Sequence, residues 1–249
     1  MARLSEILTY TDDLLAVDDY QDYCPNGLQV QGREEVNTLV SGVTASRELL
    51  EQAAEVGADA LLVHHGYFWR GEDPRVIGMK YQRLRCLIDA GISLLAYHLP
   101  LDGHSELGNN ARLGAMLGLE TGGHFGRDHL AHFAVLNTPI ASSELARRLE
   151  TTLDHVPLHI PGAQRQLQRI GWCTGAAQGF LADAAALGLD AFISGEISEP
   201  TVHVARELGI DYFAAGHHAT ERYGVQALGR HLAEQFGVEH RFIDVPNPV

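Results

Sequence analysis

Short apolar runs recur along the chain, and several of them stop at histidines. The run ALLV precedes His64 and His65, LLAY precedes His98, and YFAAG precedes His217. Apolar runs of this length, bounded by turn signals, are typical of buried strands in a parallel sheet. The pattern therefore places these imidazoles at the C-terminal edge of predicted strands.

A strand–helix–strand rhythm surrounds these runs. The segment LVSGVTASRELLEQAAEVGADALLVHHG predicts a strand, a helix that stops at Gly57, and a second strand. Residues 3–17 predict an amphipathic helix. Thr44 and Thr174 open the helices of two such segments, so we expect both to act as helix caps. The alternation predicts an α/β protein.

The strand–helix–strand segment occurs twice. Its second copy is IGWCTGAAQGFLADAAALGLDAFISGE, in which Gly57 matches Gly188 and Asp59 matches Asp190. Further matched landmarks are Thr44 with Thr174, Gly91 with Gly209, and His98 with His217. Landmarks in the same order predict an internal duplication, with two similar α/β lobes and a site in the cleft between them. The predicted lobes are 1–122 plus 222–249, and 123–221.

The strand ends combine imidazoles with carboxylates. Asp102 lies four residues after His98, and Glu221 lies four residues after His217. Open α/β sheets bind ligands at the C-terminal edges of their strands. Neutral imidazole with carboxylate, and without a nearby thiolate, is the ligand set of divalent metals such as zinc, manganese or iron. The sequence therefore predicts a metal site.

The adjacent pair His64 and His65 favours two metals over one. Two imidazoles from consecutive residues are more naturally ligands of two neighbouring ions, and Glu221 has the longer arm of the candidate bridging carboxylates. Two ions roughly 3.5–4 Å apart activate a bridging water and stabilise charge on the attacked group. That is hydrolytic chemistry, at phosphorus or at carbon.

Several site residues have alternative interpretations. His98 is a metal ligand, an outer residue that orients a ligand, or a local cap. His218 is an alternative to His217, although its spacing from the acid is shorter. Glu196 lies where the repeat places His65, which makes it a candidate general base or outer ligand.

The insertion YFWRGEDPRVIGMK follows the histidine pair and predicts a loop. Trp69, with Tyr67 and Phe68 beside it, is a candidate for stacking on a planar substrate, and Arg70 for holding an anionic group. His98 is the third candidate substrate-binding residue. The alternative is that the insertion packs onto its own lobe.

Composition excludes some classes of protein. The formal net charge of -14 over 249 residues argues against general binding to a nucleic-acid backbone. Three widely spaced cysteines, Cys24, Cys86 and Cys173, suit a reducing compartment. No apolar stretch is long enough for a membrane span, and acidic residues near the N-terminus argue against a signal peptide. We expect a cytoplasmic protein.

The chain closely resembles the Nif-three-like family, also called GTP cyclohydrolase I type 2 homologs. The matching segments run from about residue 20 to residue 249 and include PNGLQVQG, GVTAS, ADALLVHHGYFW, YHLPLD, SGE, AAGHHATERYG and FIDVPNP. As a set they are highly specific, and they match the short bacterial form of the family.

The resemblance implies two intertwined, similar α/β domains with a dinuclear metal centre, assembled as a homohexamer (a trimer of dimers). Its implied metal ligands are His64, His65, Asp102, His217 and a bridging Glu221. The ions would be two divalent metals per chain, with zinc, iron, manganese, nickel and magnesium as candidates.

These observations favour a metal-dependent hydrolase that acts on a small substrate, with nucleotide-derived molecules among the candidates. Glu221 and Glu196 are the candidate catalytic residues. Purine ring opening and phosphoester hydrolysis both fit two metals. The alternatives from other classes are a metal-binding scaffold or regulatory protein without turnover, and a metal-delivery protein.

Overall fold

The computed structural model describes residues 1–163 and 166–249, and its internal contacts divide the chain into two compact units. The first unit comprises Met1–Leu107 and Gly224–Val245, and the second comprises Gly108–Tyr223 and Pro246–Val249. Helices and strands alternate through both, which confirms the predicted α/β class.

The described residues form thirteen strands and nine α-helices. The strands are β1 (Ala2–Arg3), β2 (Gly27–Val30), β3 (Glu35–Val36), β4 (Thr38–Thr44), β5 (Ala60–His65), β6 (Ser93–Ala96), β7 (Gly123–Phe125), β8 (Ala131–Ile140), β9 (Leu158–Ile160), β10 (Leu167–Trp172), β11 (Ala191–Ser194), β12 (Asp211–Ala214) and β13 (Glu239–Phe242). The helices are α1 (Leu4–Leu14), α2 (Arg47–Glu55), α3 (Gly78–Ala90), α4 (Leu99–Gly103), α5 (Asn109–Leu117), α6 (Ser142–Leu153), α7 (Leu181–Ala186), α8 (Glu199–Leu208) and α9 (His217–Phe236). Within the described part of the chain, no helix combines the length and apolarity needed to cross a membrane.

The first unit is built on a five-stranded sheet in the order β13-β4-β5-β6-β2. All neighbours in it are parallel except β2, which pairs antiparallel with β6. Apolar side chains cover both faces: Leu62 belongs to one core cluster with Ile7 of α1, and Leu61 belongs to another with Leu49 of α2. Successive side chains of a strand point to opposite faces, so a strand buried on both sides needs a continuous apolar run. This is the physical reason for the ALLV pattern.

The second unit contains a six-stranded sheet in the order β7-β8-β10-β11-β12-β9. Strands β10, β11 and β12 are parallel, and the flanking strands β8 and β9 are antiparallel to their neighbours. Its core gathers Ile193, Phe213 and Leu149 around the fully buried Trp172. The indole N–H of Trp172 donates a hydrogen bond to the carbonyl of Asn110 (2.9 Å), which satisfies the one polar atom of that side chain.

The two units share a set of hydrogen bonds in which one aspartate connects neighbouring strands. In the first, the Asp59 carboxylate accepts from two consecutive N–H groups around the start of β4, at 2.9 and 3.1 Å. In the second, the Asp190 carboxylate accepts from two consecutive N–H groups near the start of β10, both at 2.8 Å. The carbonyls of these two aspartates accept from Ser93 and Asp211 respectively, each at 3.0 Å. The repeat in the sequence therefore has a counterpart in the hydrogen bonds of each unit.

The expectation that Thr44 and Thr174 cap helices is wrong. Thr44 is the last residue of β4, and Ser46 caps α2 by accepting a hydrogen bond from the N–H of Leu49. Thr174 lies just after β10, seven residues before α7 begins. In both places the chain turns before the helix starts, so the hydroxyl is positioned at the sheet edge instead.

Burial of His132 predicts that the second unit loses stability in acid. His132 lies on β8 with 4% of its surface exposed, and burial together with the nearby His124 lowers its pKa to about 4. Between about pH 6.5 and pH 4 the unfolded chain therefore binds a proton that the folded protein does not, so the free energy of unfolding falls as the pH falls.

We expect the protonation of His132 to lower the free energy of unfolding of the wild type by about 2 kcal/mol between pH 7 and pH 5. Urea denaturation at the two pH values measures this loss, and His132→Phe should reduce it. The exposed His203, replaced by Gln, is the control and should leave the loss unchanged. Equal losses in wild type and His132→Phe would contradict the prediction.

Candidate metal centre

His64 and His65 are the last two residues of β5, and their ring centroids lie 4.6 Å apart. The chain turns directly after them because Gln29 holds the turn. The side-chain carbonyl of Gln29 accepts from the N–H of Tyr67 (2.7 Å), and its amide donates to the Tyr67 carbonyl (3.1 Å). A Cβ at Gly66 would collide with the Gln29 side chain. The glycine of the HHG motif is therefore required by this close approach.

The buried imidazole of His64 has a defined tautomer. Its Nδ1 lies 2.9 Å from the carbonyl oxygen of Tyr97, which only accepts, so Nδ1 carries the proton. Its Nε2 lies 3.5 Å from Oδ1 of Asp102 on α4. Tyr97 is itself fixed, because its hydroxyl donates to Asp12 of α1 (2.7 Å). The nitrogen of His64 with the lone pair thus faces a carboxylate, as a metal ligand requires.

His65 is paired with Thr44, the residue that the sequence suggested as a helix cap. Their strands are neighbours in register, and Nδ1 of His65 lies 3.1 Å from Oγ1 of Thr44. The hydroxyl therefore supports the ligand candidate. This contact depends on the register of β4 and β5, which the spacing of residues along the chain does not reveal.

His98 lies between β6 and α4, where Asp22 and Asn26 hold it. Its Nδ1 is 2.9 Å from Oδ1 of Asp22, and its backbone N–H donates to Oδ1 of Asn26 (2.7 Å). One nitrogen from each of His64, His65 and His98 lies within 4.8 Å of the others, a grouping that could hold a metal ion. Neither supporting residue is among the candidates that the sequence patterns predict. The one signal was the density of acceptor side chains in DYCPN.

The Asp22 carboxylate remains charged although its side chain is only 3% exposed. Burial by itself raises the pKa of Asp22. Hydrogen bonds and charge from His98, with further hydrogen bonds from Asn26 and the N–H of Leu99, outweigh burial and hold this pKa well below its usual range. A buried anion is thus fixed beside an imidazole, which orients the ring.

The insertion after the histidine pair lies close to these imidazoles. The indole ring of Trp69 is 5.1 Å from the ring of His98, edge to face, and 6.0 Å from that of His65. The exposed guanidinium of Arg70 donates to the backbone carbonyl of Asp22 (3.1 Å). The insertion therefore packs onto its own unit, with the indole beside the candidate site.

The second unit presents an imidazole and a carboxylate at the start of α9. Nε2 of His217 lies 3.1 Å from Oε2 of Glu221, because residues four apart share one face of a helix. Nδ1 of His217 lies 2.6 Å from Oε1 of Glu196, in the loop after β11. Burial lowers the pKa of His217, but the hydrogen bonds and charges of the two carboxylates raise it to about 9. The two carboxylates therefore place negative charge on both sides of this imidazole.

Gly175, in the loop after β10, lies directly against the side chains of His217 and Glu221. A Cβ at Gly175 would meet Oε1 of Glu221 and Nε2 of His217, and its φ of +65° also favours glycine. Its N–H donates to Oγ1 of Thr220 (3.1 Å). The carboxylate and the imidazole therefore lie against bare backbone. Oxygen and nitrogen donors in contact, on a negatively charged and mostly buried site, fit a divalent metal ion.

Each unit thus brings together its own share of the predicted ligands. The first unit groups His64, His65 and Asp102, with His98 beside them. The second groups His217 and Glu221, with Glu196 on the far side of the imidazole. His217 makes the contact with Glu221.

We expect a substitution at Gly175 to weaken the binding of metal. In Gly175→Ala the new Cβ forces Glu221 away from its place, so we expect the protein to retain metal at least about tenfold more weakly. Gly188→Ala is the matched control, because Gly188 also has a positive φ (+68°) but nothing within 4 Å of its Cβ position. It should lose about 1 kcal/mol of stability and keep its metal. Elemental analysis after dialysis against a chelator measures both, and equal metal contents would contradict the expectation.

Comparison with known proteins agrees with the resemblance described from the sequence motifs. A curated relative from Pseudomonas aeruginosa, named GTP cyclohydrolase 1 type 2 homolog, is 52% identical over 248 residues, which is 98% of each chain. A solved structure described as protein ybgI, of unknown function, has a TM-score of 0.96 and 46% identity over 100% of both chains. The structure of TTHA1606 from Thermus thermophilus has a TM-score of 0.92 and 33% identity, again over 100% of both chains.

The family model described as Duf34/NIF3 (NGG1p interacting factor 3) matches residues 2–248. This match spans almost the whole chain and includes every residue of both candidate metal clusters. The chain therefore belongs to the Duf34/NIF3 family.

Proposed function

We propose that this protein is a dinuclear metal-dependent hydrolase that acts on a small substrate, with nucleotide-derived molecules among the candidates. One observation carries the proposal. In each unit a histidine is held through Nδ1 by an oxygen acceptor, while its Nε2 faces a carboxylate. This is the arrangement by which proteins orient imidazole toward a metal ion.

The proposed ligands are His64, His65, Asp102, His217 and Glu221, with Glu221 bridging two divalent ions per chain. Five nitrogen and carboxylate donors exceed what a single tetrahedral ion accepts, which supports a pair of ions with room for water or substrate. The candidates for the ions are zinc, iron, manganese, nickel and magnesium. Bound metal would supply an activated water and stabilise negative charge on the attacked group.

The other residues of the site have proposed roles in positioning. Glu196 holds His217 through its 2.6 Å contact, which supports an outer role more than that of general base. An open cavity of about 320 Å³ in the second unit is lined by Glu196, His155 and Gly216 among others, and this size suits a small molecule. In the first unit, Trp69 and Arg70 are the proposed contacts for a planar, anionic substrate.

Metal content and turnover test this proposal together. Protein purified without chelators should contain about two ions per chain, and His65→Ala should lose at least one of them. Phosphoesters, cyclic nucleotides and nucleoside triphosphates should be screened against wild type and Glu221→Gln. We expect metal-dependent turnover in wild type and a loss of at least about a hundredfold in Glu221→Gln.

The surface pair His203 and Glu199 supplies the control. These residues are also four apart with a 3.1 Å contact, but they are exposed. His203→Ala and Glu199→Gln should therefore keep both metal and turnover. Fewer than one ion per chain in wild type would contradict the centre. Two ions without turnover of any substrate would instead favour a metal-binding scaffold or regulatory protein.

We also propose a cytoplasmic homohexamer, arranged as a trimer of dimers. The support within the structure is that α3 and the loop before it expose several apolar side chains, including Ile77, Met79 and Ile88. Light scattering should give a mass close to six chains of 27.2 kDa. Met79→Glu combined with Ile88→Glu should lower that mass, and a monomeric wild type would contradict the assembly.

A further inference from the structure

We infer that Lys80 is a positioning residue, whose ammonium group closes the insertion 67–80 onto itself and thereby holds Trp69 in its place. Lys80 is the last residue of this insertion and the third residue of α3. Its contacts lie within the first unit and require no metal. Only the consequence for substrate binding rests on the proposed function.

The first observation is the identity of this basic residue. Among the 18 lysine and arginine residues of the chain, Lys80 is the only lysine. An ammonium is a compact charge with three N–H donors around one nitrogen, whereas a guanidinium is a planar fork. A position that surrounds one nitrogen with several acceptors therefore suits lysine better than arginine.

The second observation is that the Lys80 ammonium has three such acceptors, all within the insertion. Nζ lies 3.3 Å from Oε2 of Glu72 and donates to the backbone carbonyl of Asp73 (3.1 Å). It also lies over the face of the Phe68 ring, 5.2 Å from the centroid. The Lys80 side chain is only 12% exposed, whereas residues 71–79 are all exposed. A desolvated ammonium interacts more strongly with carboxylates and aromatic faces than an exposed one does.

The third observation is the backbone of Phe68, which is left-handed with a φ of +65°. A bulky residue rarely adopts this conformation, because it costs free energy that the surroundings must offset. Tyr67 before it is buried, and its hydroxyl donates to the carbonyl of Ala45 (2.7 Å). The contact with Lys80 fixes the Phe68 ring at the point where the chain leaves this buried anchor, and so contributes to holding the strained turn.

Trp69 lies between the two parts of the insertion that Lys80 contacts. Phe68 precedes it, and the N–H of Glu72 donates to its carbonyl (3.0 Å). The N–H of Arg70 donates to the carbonyl of Tyr23 (2.7 Å), which is a separate tether. Loss of the ammonium would therefore release the chain on both sides of Trp69, although Lys80 acts on this indole only through its neighbours.

Acrylamide quenching of tryptophan fluorescence tests the inference. The chain has two tryptophans, and Trp172 is fully buried, so acrylamide reports mainly on Trp69. We expect Lys80→Met to raise the quenching constant at least about twofold, because the insertion then opens more often. Lys80→Arg keeps the charge and should restore part of the protection. Arg85→Met is the matched control on α3 and should equal the wild type, since Arg85 only forms an exposed ion pair with Asp89 (3.0 Å).

Acetylation gives a second measurement, because the chain offers a single lysine side chain. Mass spectrometry of the peptide that contains Lys80 gives its rate of reaction with acetic anhydride. We expect Glu72→Gln and Phe68→Leu each to raise this rate at least about threefold, since each weakens one contact of the ammonium. Glu48→Gln, at an exposed carboxylate of α2, should leave the rate unchanged.

Equal quenching in wild type and Lys80→Met would overturn the inference. If Lys80→Met fails to fold, as judged by thermal unfolding, or changes its mass in light scattering, the acetylation rates decide. Equal rates in wild type, Glu72→Gln and Phe68→Leu would then overturn the inference.

Neither measurement needs turnover, so a failure of the proposed hydrolase leaves both valid. With a substrate that the wild type turns over, Lys80→Met should raise KM at least about fivefold and change kcat less than about twofold. An unchanged KM together with raised quenching would overturn only the link between the insertion and substrate binding.

Discussion

Imidazole has two nitrogen atoms, and the organisation of the candidate centre depends on which of them is already bonded. A carbonyl holds Nδ1 of His64, and carboxylates hold Nδ1 of His98 and His217. The remaining nitrogen of each ring is thereby oriented, as the proposed binding of a metal ion would require. A site prepared in this way avoids much of the entropy cost of ordering its ligands on binding. The rest of each unit can be understood as the framework that keeps these acceptors in place.

That framework is largely local, and this is why much of it could be predicted from sequence. Buried parallel strands need continuous apolar runs, so the sequence predicts the positions of β5, β6 and β12. His64 and His65 end β5, and His217 follows β12 by three residues. The sequence pairs His217 with Glu221 as an imidazole and a carboxylate four residues apart, and their contact arises because α9 begins at His217 and places both on one helix face. These candidate ligands can be predicted from the sequence because they directly follow the apolar runs of buried strands.

The supporting residues could not be predicted in the same way, because their contacts depend on tertiary structure. Asp22 lies 76 residues from His98 in the sequence. The acceptor of the His64 bond is the backbone carbonyl of Tyr97, and every residue has such a carbonyl, so the sequence does not mark it. Thr44 shows the difficulty most clearly. Its position before a helix suggested a cap, yet strand register places it against His65. The register of β4 and β5, which pairs Thr44 with His65, decides the contact of this hydroxyl.

The bare backbone at Gly175 has a consequence for comparing members of the family. Because no side chain fits between this position and Glu221, its identity reports on the carboxylate independently of the ligands themselves. A relative that retains the five proposed ligand residues but carries a larger residue here would need a rebuilt loop to place Glu221 in the same way. One position outside the proposed ligand set therefore distinguishes relatives in which the carboxylate can lie against bare backbone from those in which it cannot.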